Sequence, residues 1–112
     1  AAEMHGCTVE THLMGTALSS SNSSELNDRL EQVCAEQLKI PVWRDPEAFS
    51  NVSEDFSCMS EAVKFHGGQA CYFLNVSRCS APLHNDRFDF QEKALMNGVK
   101  AFCGVTAELL KT

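Results

Sequence analysis

Two short motifs carry the side chains that could do chemistry. The segment 53–56 reads Ser-Glu-Asp-Phe and places the adjacent carboxylates of Glu54 and Asp55 at a predicted helix start. The segment 83–90 places His84 and Asn85 just after a predicted buried strand, where α/β sheets hold their ligands. Neutral imidazole binds metals well, but zinc needs three or four protein ligands. There are also structural explanations. The two carboxylates could simply stabilise the positive end of the helix dipole, and His84 could be an ordinary surface histidine.

The elements that must position these motifs alternate along the chain. Val9, Thr11 and Leu13 alternate with polar residues and predict a strand, and the apolar run 70–76 predicts a buried one. Predicted helices are separated by loops, and a short extended piece at 40–43 could be a further strand. This order favours a layered α/β fold. The predicted helices span 24–38, 53–66 and 90–110, after a helix end at 1–5.

Apolar stripes and end signals support these helices. Ser23 and Ser24 are candidate N-caps for the first helix, and Ser53 is one for the second. Gly67 and Gly68 predict a left-handed exit from the second helix. Asp89 and Glu92 resemble a reciprocal cap of the third helix. The stripes expected to face a core are Phe56, Met59 and Val63 in the second helix and Leu95, Val99, Phe102, Thr106 and Leu109 in the third.

Two features predict that the chain is one piece of a longer protein. The serine-rich segment 19–24 follows only about twenty residues, too few for a domain. The apolar strand 70–76 needs cover on both faces, and two or three strands make a small sheet. We therefore expect both parts to pack on something beyond these 112 residues.

The composition and the cysteines indicate which partners and which cellular compartment to expect. A net charge of −6 argues against nucleic acid and anionic membranes as main partners, and no apolar run reaches the ~20 residues of a membrane span. The six cysteines show no two-residue spacing typical of zinc or redox motifs, so we predict free thiols in a cytoplasmic setting. Glycosylation-type triplets at Asn22, Asn51 and Asn75 instead favour a secreted protein.

Two alternatives from other functional classes stay open. The first is a small secreted binding module that is glycosylated and held by three disulfides, for which six cysteines allow 15 pairings. The second is a relative of an enzyme that has lost its catalytic activity and keeps its fold for dimerisation. In that case the strand 7–14 would be an exposed edge that pairs with another chain.

The ordered motifs around Glu54 and His84, with Gly67-Gly68-Gln69-Ala70 between them, resemble the C-terminal end of a family of metal-dependent amidohydrolases. This is the aminoacylase, hippurate hydrolase and auxin-conjugate hydrolase group of metallopeptidases. The resemblance covers most of the chain and is strongest to the members that act on aminobenzoyl-glutamate. It implies an enzyme that hydrolyses the amide bond of N-acyl amino acids.

The resemblance also implies a domain organisation. Family members have a metal-binding α/β catalytic domain interrupted by a smaller α+β lid that often mediates dimers. Residues 1–18 would then be the end of the lid, and residues 19–112 the C-terminal portion of the catalytic domain. The remainder of the enzyme chain and a homo- or hetero-oligomeric partner are implied as well, with no nucleic acid and no membrane.

Site residues follow from the same resemblance. His84 matches the family's C-terminal metal ligand, whereas Glu54, Asp55 and Asn85 are expected to line the site. The intact enzyme is implied to hold two divalent metal ions, zinc or manganese, that polarise the amide carbonyl and activate water. The general base is expected outside this chain. One ligand cannot hold a catalytic metal, so this chain alone is predicted to bind no metal and to be inactive.

Overall fold

Three α-helices organise the chain in a computed structural model that describes residues 1–45 and 54–111. Helix α1 spans Ser24–Gln32 and continues as a π-helical turn over Val33–Gln37. Helix α2 spans Phe56–Phe65, and helix α3 spans Leu95–Leu109 after a 3₁₀ turn at Glu92–Ala94. A second 3₁₀ turn covers Glu3–His5. All three helices lie within predicted ranges.

Helix α1 ends through a widened turn. The N–H of Leu38 donates to the Val33 carbonyl oxygen at 3.0 Å, and that of Ile40 donates to the Cys34 carbonyl oxygen at 2.8 Å. Lys39 between them adopts a left-handed φ of 56°, which costs free energy for a residue with a β-carbon. Pro41 then prevents continuation. The helical spacing of Leu26, Leu30, Val33, Cys34 and Leu38 predicts an apolar stripe in this segment. It is confirmed, because Val33 and Cys34 are buried and the three leucines are half-buried.

The small core lies where the π-helical turn meets α3. Val33 is 1% exposed and Ala101 is buried on the facing helix. Gly104 allows the close approach, because a β-carbon there would lie 2.9 Å from Cγ1 of Val33 and 3.1 Å from Cδ1 of Leu38. The face of α3 that packs inward is therefore made of small residues. Leu95, Val99 and Phe102 of the predicted stripe are exposed within the described residues.

Helix α2 also turns an unexpected face inward. Ser57 and Ser60 are buried, whereas Met59 and Val63 of the predicted stripe are exposed. The serine-rich segment crosses this face, where Oγ of Ser20 donates to Oγ of Ser60 at 2.8 Å. The helix ends as predicted, with Gly67 at a φ of 79°.

Two predicted caps do not form in the described part of the chain. The side chain of Ser23 does not cap α1; its Oγ accepts from the N–H of Ala70 at 3.1 Å. The reciprocal cap of Asp89 and Glu92 is also absent, because Oδ1 of Asp89 accepts from the N–H of Phe90 at 2.8 Å. The predicted cap Ser53 lies outside the described residues.

The predicted strands 7–14, 40–43 and 70–76 form no sheet within residues 1–45 and 54–111. The β pairing found there is one antiparallel bridge between Cys79 and Phe90. The segment 7–14 is exposed throughout. The layered α/β fold, and the division at residue 18, stay predictions. No helix of the described chain is long and apolar enough to cross a lipid bilayer.

The chain exposes far more surface than a folded monomer of its size. Its accessible area is 9470 Å², against about 6,100 Å² expected for 12.3 kDa. Its radius of gyration is 19.3 Å, against about 13 Å for a domain of this length. Much of the surplus is apolar, with Leu74, Val76 and Val99 among the exposed side chains. These 112 residues therefore leave a large apolar surface uncovered.

Candidate functional site

The predicted ligand loop is a hairpin-like excursion between residues 79 and 90. The bridge between Cys79 and Phe90 closes its base, and the N–H of Ser80 donates to the Asp89 carbonyl oxygen at 3.0 Å. The hydroxyl of Ser80 also donates to the Arg87 carbonyl oxygen. These hydrogen bonds hold the two arms of the loop together at its base, and the tip lies beyond them.

His84 lies near the tip of this loop and is exposed. Its φ of 63° lies in the left-handed region, where histidine is found more often than most residues with a β-carbon. Conformations of this kind cost about 1–3 kcal/mol and cluster at functional sites. The imidazole of His84 is thus available to a partner rather than packed in the core.

Asn85 forms hydrogen bonds with the backbone of its own loop. Its Oδ1 accepts from the N–H of Arg87 at 2.9 Å, and its carbonyl oxygen accepts from the N–H of Phe88 at 3.0 Å. A side-chain turn of this type fixes the backbone that follows His84. Asn85 therefore holds the backbone that comes directly after His84.

The motif 53–56 is linked to the apolar segment 70–76 through Tyr72. The hydroxyl of Tyr72 donates to Oε2 of Glu54 at 3.2 Å, and the Tyr72 ring lies 5.5 Å from that of Phe56. Burial, followed by the charge and hydrogen bond of Glu54, raises the pKa of Tyr72. Asp55 is exposed at the start of α2, without a capping hydrogen bond from its side chain. Sequence analysis missed Tyr72, whose only signal was a hydroxyl within an apolar run.

No hydrogen bond or ion pair of the described residues joins the His84 loop to Glu54 or Asp55. The same residues contain no group of three or more histidine, cysteine, aspartate or glutamate side chains that could hold a metal ion. A pair of divalent metals therefore does not fit the described residues alone. His84 can contribute one imidazole to a site that other residues complete.

The side chains of two predicted glycosylation sites are engaged within the chain. The Asn22 side chain pairs with the backbone of Tyr72, and Nδ2 of Asn75 donates to the Ala94 carbonyl oxygen at 2.7 Å. The third, Asn51, lies outside the described residues. No disulfide joins the six cysteines, all of which lie among the described residues.

Comparison with curated proteins identifies three relatives of this chain. It is 35% identical over 101 residues to a Haemophilus influenzae homolog of the p-aminobenzoyl-glutamate hydrolase A-type subunit, covering 90% of this chain and 24% of that protein. It is 36% identical over 104 residues to the corresponding p-aminobenzoyl-glutamate hydrolase subunit of Escherichia coli, covering 89% and 23%. It is 35% identical over 100 residues to indole-3-acetyl-aspartic acid hydrolase of Enterobacter agglomerans, again covering 89% and 23%.

The resemblance predicted from the two motifs is thereby confirmed. The chain spans about a quarter of the length of these relatives and matches their C-terminal part. No family model matches the chain. No solved structure matches it either.

Proposed function

We propose that this chain, similar over nine-tenths of its length to hydrolases of amino-acid conjugates, is the C-terminal segment of an amide hydrolase. The observation that carries the proposal is this similarity to three relatives, at 35–36% identity. The large uncovered apolar surface supports it, because one segment of a larger enzyme would have such a surface.

The relatives' names suggest the substrate class. Aminobenzoyl-glutamate and indole-3-acetyl-aspartic acid each join an aromatic acyl group to an acidic amino acid. The intact enzyme would hydrolyse the amide bond of such N-acyl amino acids. Two relatives are named as hydrolase subunits or their homologs, so the enzyme would act as an oligomer.

His84 would supply one metal ligand of the active site. Its exposed imidazole, on a loop with a tied base, suits a ligand that meets others from the remainder of the enzyme. Asn85 would act as a positioning residue, because its side chain fixes the turn after His84. When bound, two divalent ions of zinc or manganese would polarise the amide carbonyl. Within this chain, His84 would bind a metal ion. The general base would come from the remainder of the enzyme.

Glu54 and Asp55 would line the same site. Tyr72 holds Glu54 through a hydrogen bond from its hydroxyl, so the carboxylate is oriented before any substrate arrives. Asp55 is exposed beside it. By itself the chain would not hydrolyse amides, because a single imidazole cannot hold a catalytic metal ion.

The proposal is tested by exchanging segments. The matching quarter of the E. coli p-aminobenzoyl-glutamate hydrolase relative is replaced by this chain, and release of p-aminobenzoate is measured. We expect the exchanged protein to hydrolyse the conjugate and this chain alone to be inactive. A folded exchanged protein without activity on either aminobenzoyl-glutamate or indole-3-acetyl-aspartate would contradict the proposal.

A further inference from the structure

Arg87 lies on the same loop as the proposed metal ligand. It follows His84 by three residues, and it is the only lysine or arginine between Cys79 and Phe90, whose bridge closes the base of the loop. Three residues of chain extend by at most about 11 Å. The Cα atom of Arg87 is therefore close to that of His84, on the same side of the bridge.

Hydrogen bonds hold the backbone of Arg87 on both sides. Its N–H donates to Oδ1 of Asn85 at 2.9 Å, and its carbonyl oxygen accepts from the hydroxyl of Ser80 on the opposite arm of the loop. The N–H of Phe88 donates to the Asn85 carbonyl oxygen at 3.0 Å and closes a turn around Arg87. A ligand of this residue would have to order the side chain but not the backbone, which lowers the entropic cost of binding.

The guanidinium of Arg87 is exposed and forms no ion pair within the described chain. Arg29 and Arg44, in contrast, pair with carboxylates of helix α1. The loop's own carboxylates, Asp86 and Asp89, do not pair with Arg87, and that of Asp89 accepts from the backbone N–H of the next residue. In a chain with a net charge of −6, an arginine without an ion pair is available to an anionic ligand.

The substrates named for two relatives share an anionic group that N-acyl derivatives of neutral amino acids lack. Glutamate in aminobenzoyl-glutamate and aspartate in indole-3-acetyl-aspartic acid carry a side-chain carboxylate in addition to the α-carboxylate. A guanidinium offers paired N–H donors that match the two oxygens of a carboxylate, and such charge-assisted hydrogen bonds are about twice as strong as neutral ones. A cation near the scissile amide would therefore select acidic conjugates.

We propose that Arg87 binds the side-chain carboxylate of the acidic amino acid in the conjugate. This inference rests on the proposed function, in which His84 holds a metal ion at the scissile amide, and it names the residue that selects the amino acid. Only a few covalent bonds separate the side-chain carboxylate from the amide. The partner of that carboxylate must therefore lie close to the metal ligand, as Arg87 does along the chain.

Arg78 provides a matched control. It is also exposed and forms no ion pair among the described residues. Because it precedes Cys79, it lies outside the loop that the bridge closes. A general effect of removing one positive charge would appear in both variants, whereas an effect of the carboxylate contact would appear at Arg87 alone.

The test uses the exchanged E. coli protein with p-aminobenzoyl-glutamate and p-aminobenzoyl-glutamine, which share the acyl group, the amide and the α-carboxylate. We expect Arg87→Gln to lower kcat/KM at least about tenfold for the glutamate conjugate, since charge-assisted bonds are lost. The value for the glutamine conjugate should stay within about twofold. Arg87→Lys keeps the charge without the paired donors and should fall between. Arg78→Gln should change neither value.

Binding of the product amino acid gives a readout that does not depend on turnover. Isothermal titration calorimetry measures the affinity of the exchanged protein for L-glutamate and for L-glutamine. Arg87→Gln should weaken the binding of L-glutamate at least about tenfold and leave that of L-glutamine unchanged. Arg78→Gln should alter neither affinity.

The selectivity of the variants decides the proposal. Equal losses on both conjugates in a folded Arg87→Gln protein would place Arg87 at the α-carboxylate and overturn it, and so would no loss on either. A protein that hydrolyses neither conjugate but loses glutamate affinity in Arg87→Gln contradicts the proposed function and supports the carboxylate site. Hydrolysis with unchanged selectivity in Arg87→Gln supports the function and contradicts the site.

Discussion

The side-chain amide of Asn22 pairs with both backbone groups of Tyr72. Its Nδ2 donates to the Tyr72 carbonyl oxygen at 2.8 Å, and its Oδ1 accepts from the Tyr72 N–H at 2.7 Å. A side chain thus takes the place of a neighbouring strand. The pair ties the serine-rich segment to the apolar segment 70–76, whose Tyr72 hydroxyl in turn holds Glu54.

Asn22→Asp should loosen this connection. The variant keeps the oxygen that accepts from the Tyr72 N–H, but it places a second oxygen opposite the Tyr72 carbonyl in place of the donor. We expect a loss of about 1 kcal/mol in local stability, measured as faster exchange of the Tyr72 amide. Asn97→Asp, at an exposed position of α3, is the matched control and should not change that rate. Equal rates in the two variants would show that the pair contributes nothing.

The titration of Tyr72 should report its contact with Glu54. The chain has a single tyrosine, so absorbance of the phenolate follows this residue alone. We expect a pKa above the ordinary value of 10 because burial and Glu54 favour the neutral phenol. Glu54→Gln should lower that pKa, and Glu3→Gln should not. An unchanged pKa in Glu54→Gln would contradict the contact.

The sign of this effect on stability follows from the raised pKa. The contribution of Tyr72 to folded-state stability is fully present below the unfolded pKa. It is lost as the pH rises through the higher folded value. Glu54→Gln should therefore make the unfolding midpoint less sensitive to pH above 10, as measured by urea unfolding.

Thiol titration distinguishes the hydrolase segment from a disulfide-bonded module. Without reductant and under denaturing conditions, six thiols should react with a disulfide reagent. In the folded chain the exposed cysteines should react first, because burial raises the pKa of Cys34 and Cys71 and the thiolate is the reactive form. The exposed set is Cys7, Cys58, Cys79 and Cys103. Fewer than six thiols in the denatured chain would favour the alternative.

Gly104→Ala should destabilise the packing of α3 on the π-helical turn. Alanine in a helix normally gains about 1 kcal/mol over glycine. Here the added β-carbon would lie 2.9 Å from Cγ1 of buried Val33, and overpacking costs about 1–3 kcal/mol. We expect a lower urea midpoint by circular dichroism, with exposed Thr106→Ala as control. A raised midpoint in Gly104→Ala would contradict this packing.

Sequence periodicity predicted the helices because helical hydrogen bonds are local. The left-handed exit at Gly67 followed from glycine's lack of a β-carbon. The inward faces of α2 and α3 could not be predicted in this way. Their large side chains lie exposed while Ser57, Ser60 and Ala101 pack inside, because most of the chain's apolar surface lacks cover within these residues.

Strands depend on partners distant in sequence, which explains the different outcome for the segment 70–76. Its pattern predicted a strand, yet Tyr72 and Ala70 of this segment hydrogen-bond to the side chains of Asn22 and Ser23. For the candidate site, the resemblance named His84, but the local sequence did not predict its left-handed φ or the side-chain turn that Asn85 forms after it. The hydrogen bond from Tyr72 to Glu54 joins residues 18 positions apart and had no local signal in the sequence.

The most direct test of the account is the metal content and activity of the exchanged E. coli protein with His84→Ala beside His66→Ala. His66 directly follows α2, and its Nδ1 lies 2.8 Å from the Ala62 carbonyl oxygen. We expect His84→Ala to lose at least about a hundredfold in kcat/KM and to bind less metal. His66→Ala should keep both. Full activity and metal content in a folded His84→Ala protein would contradict the account.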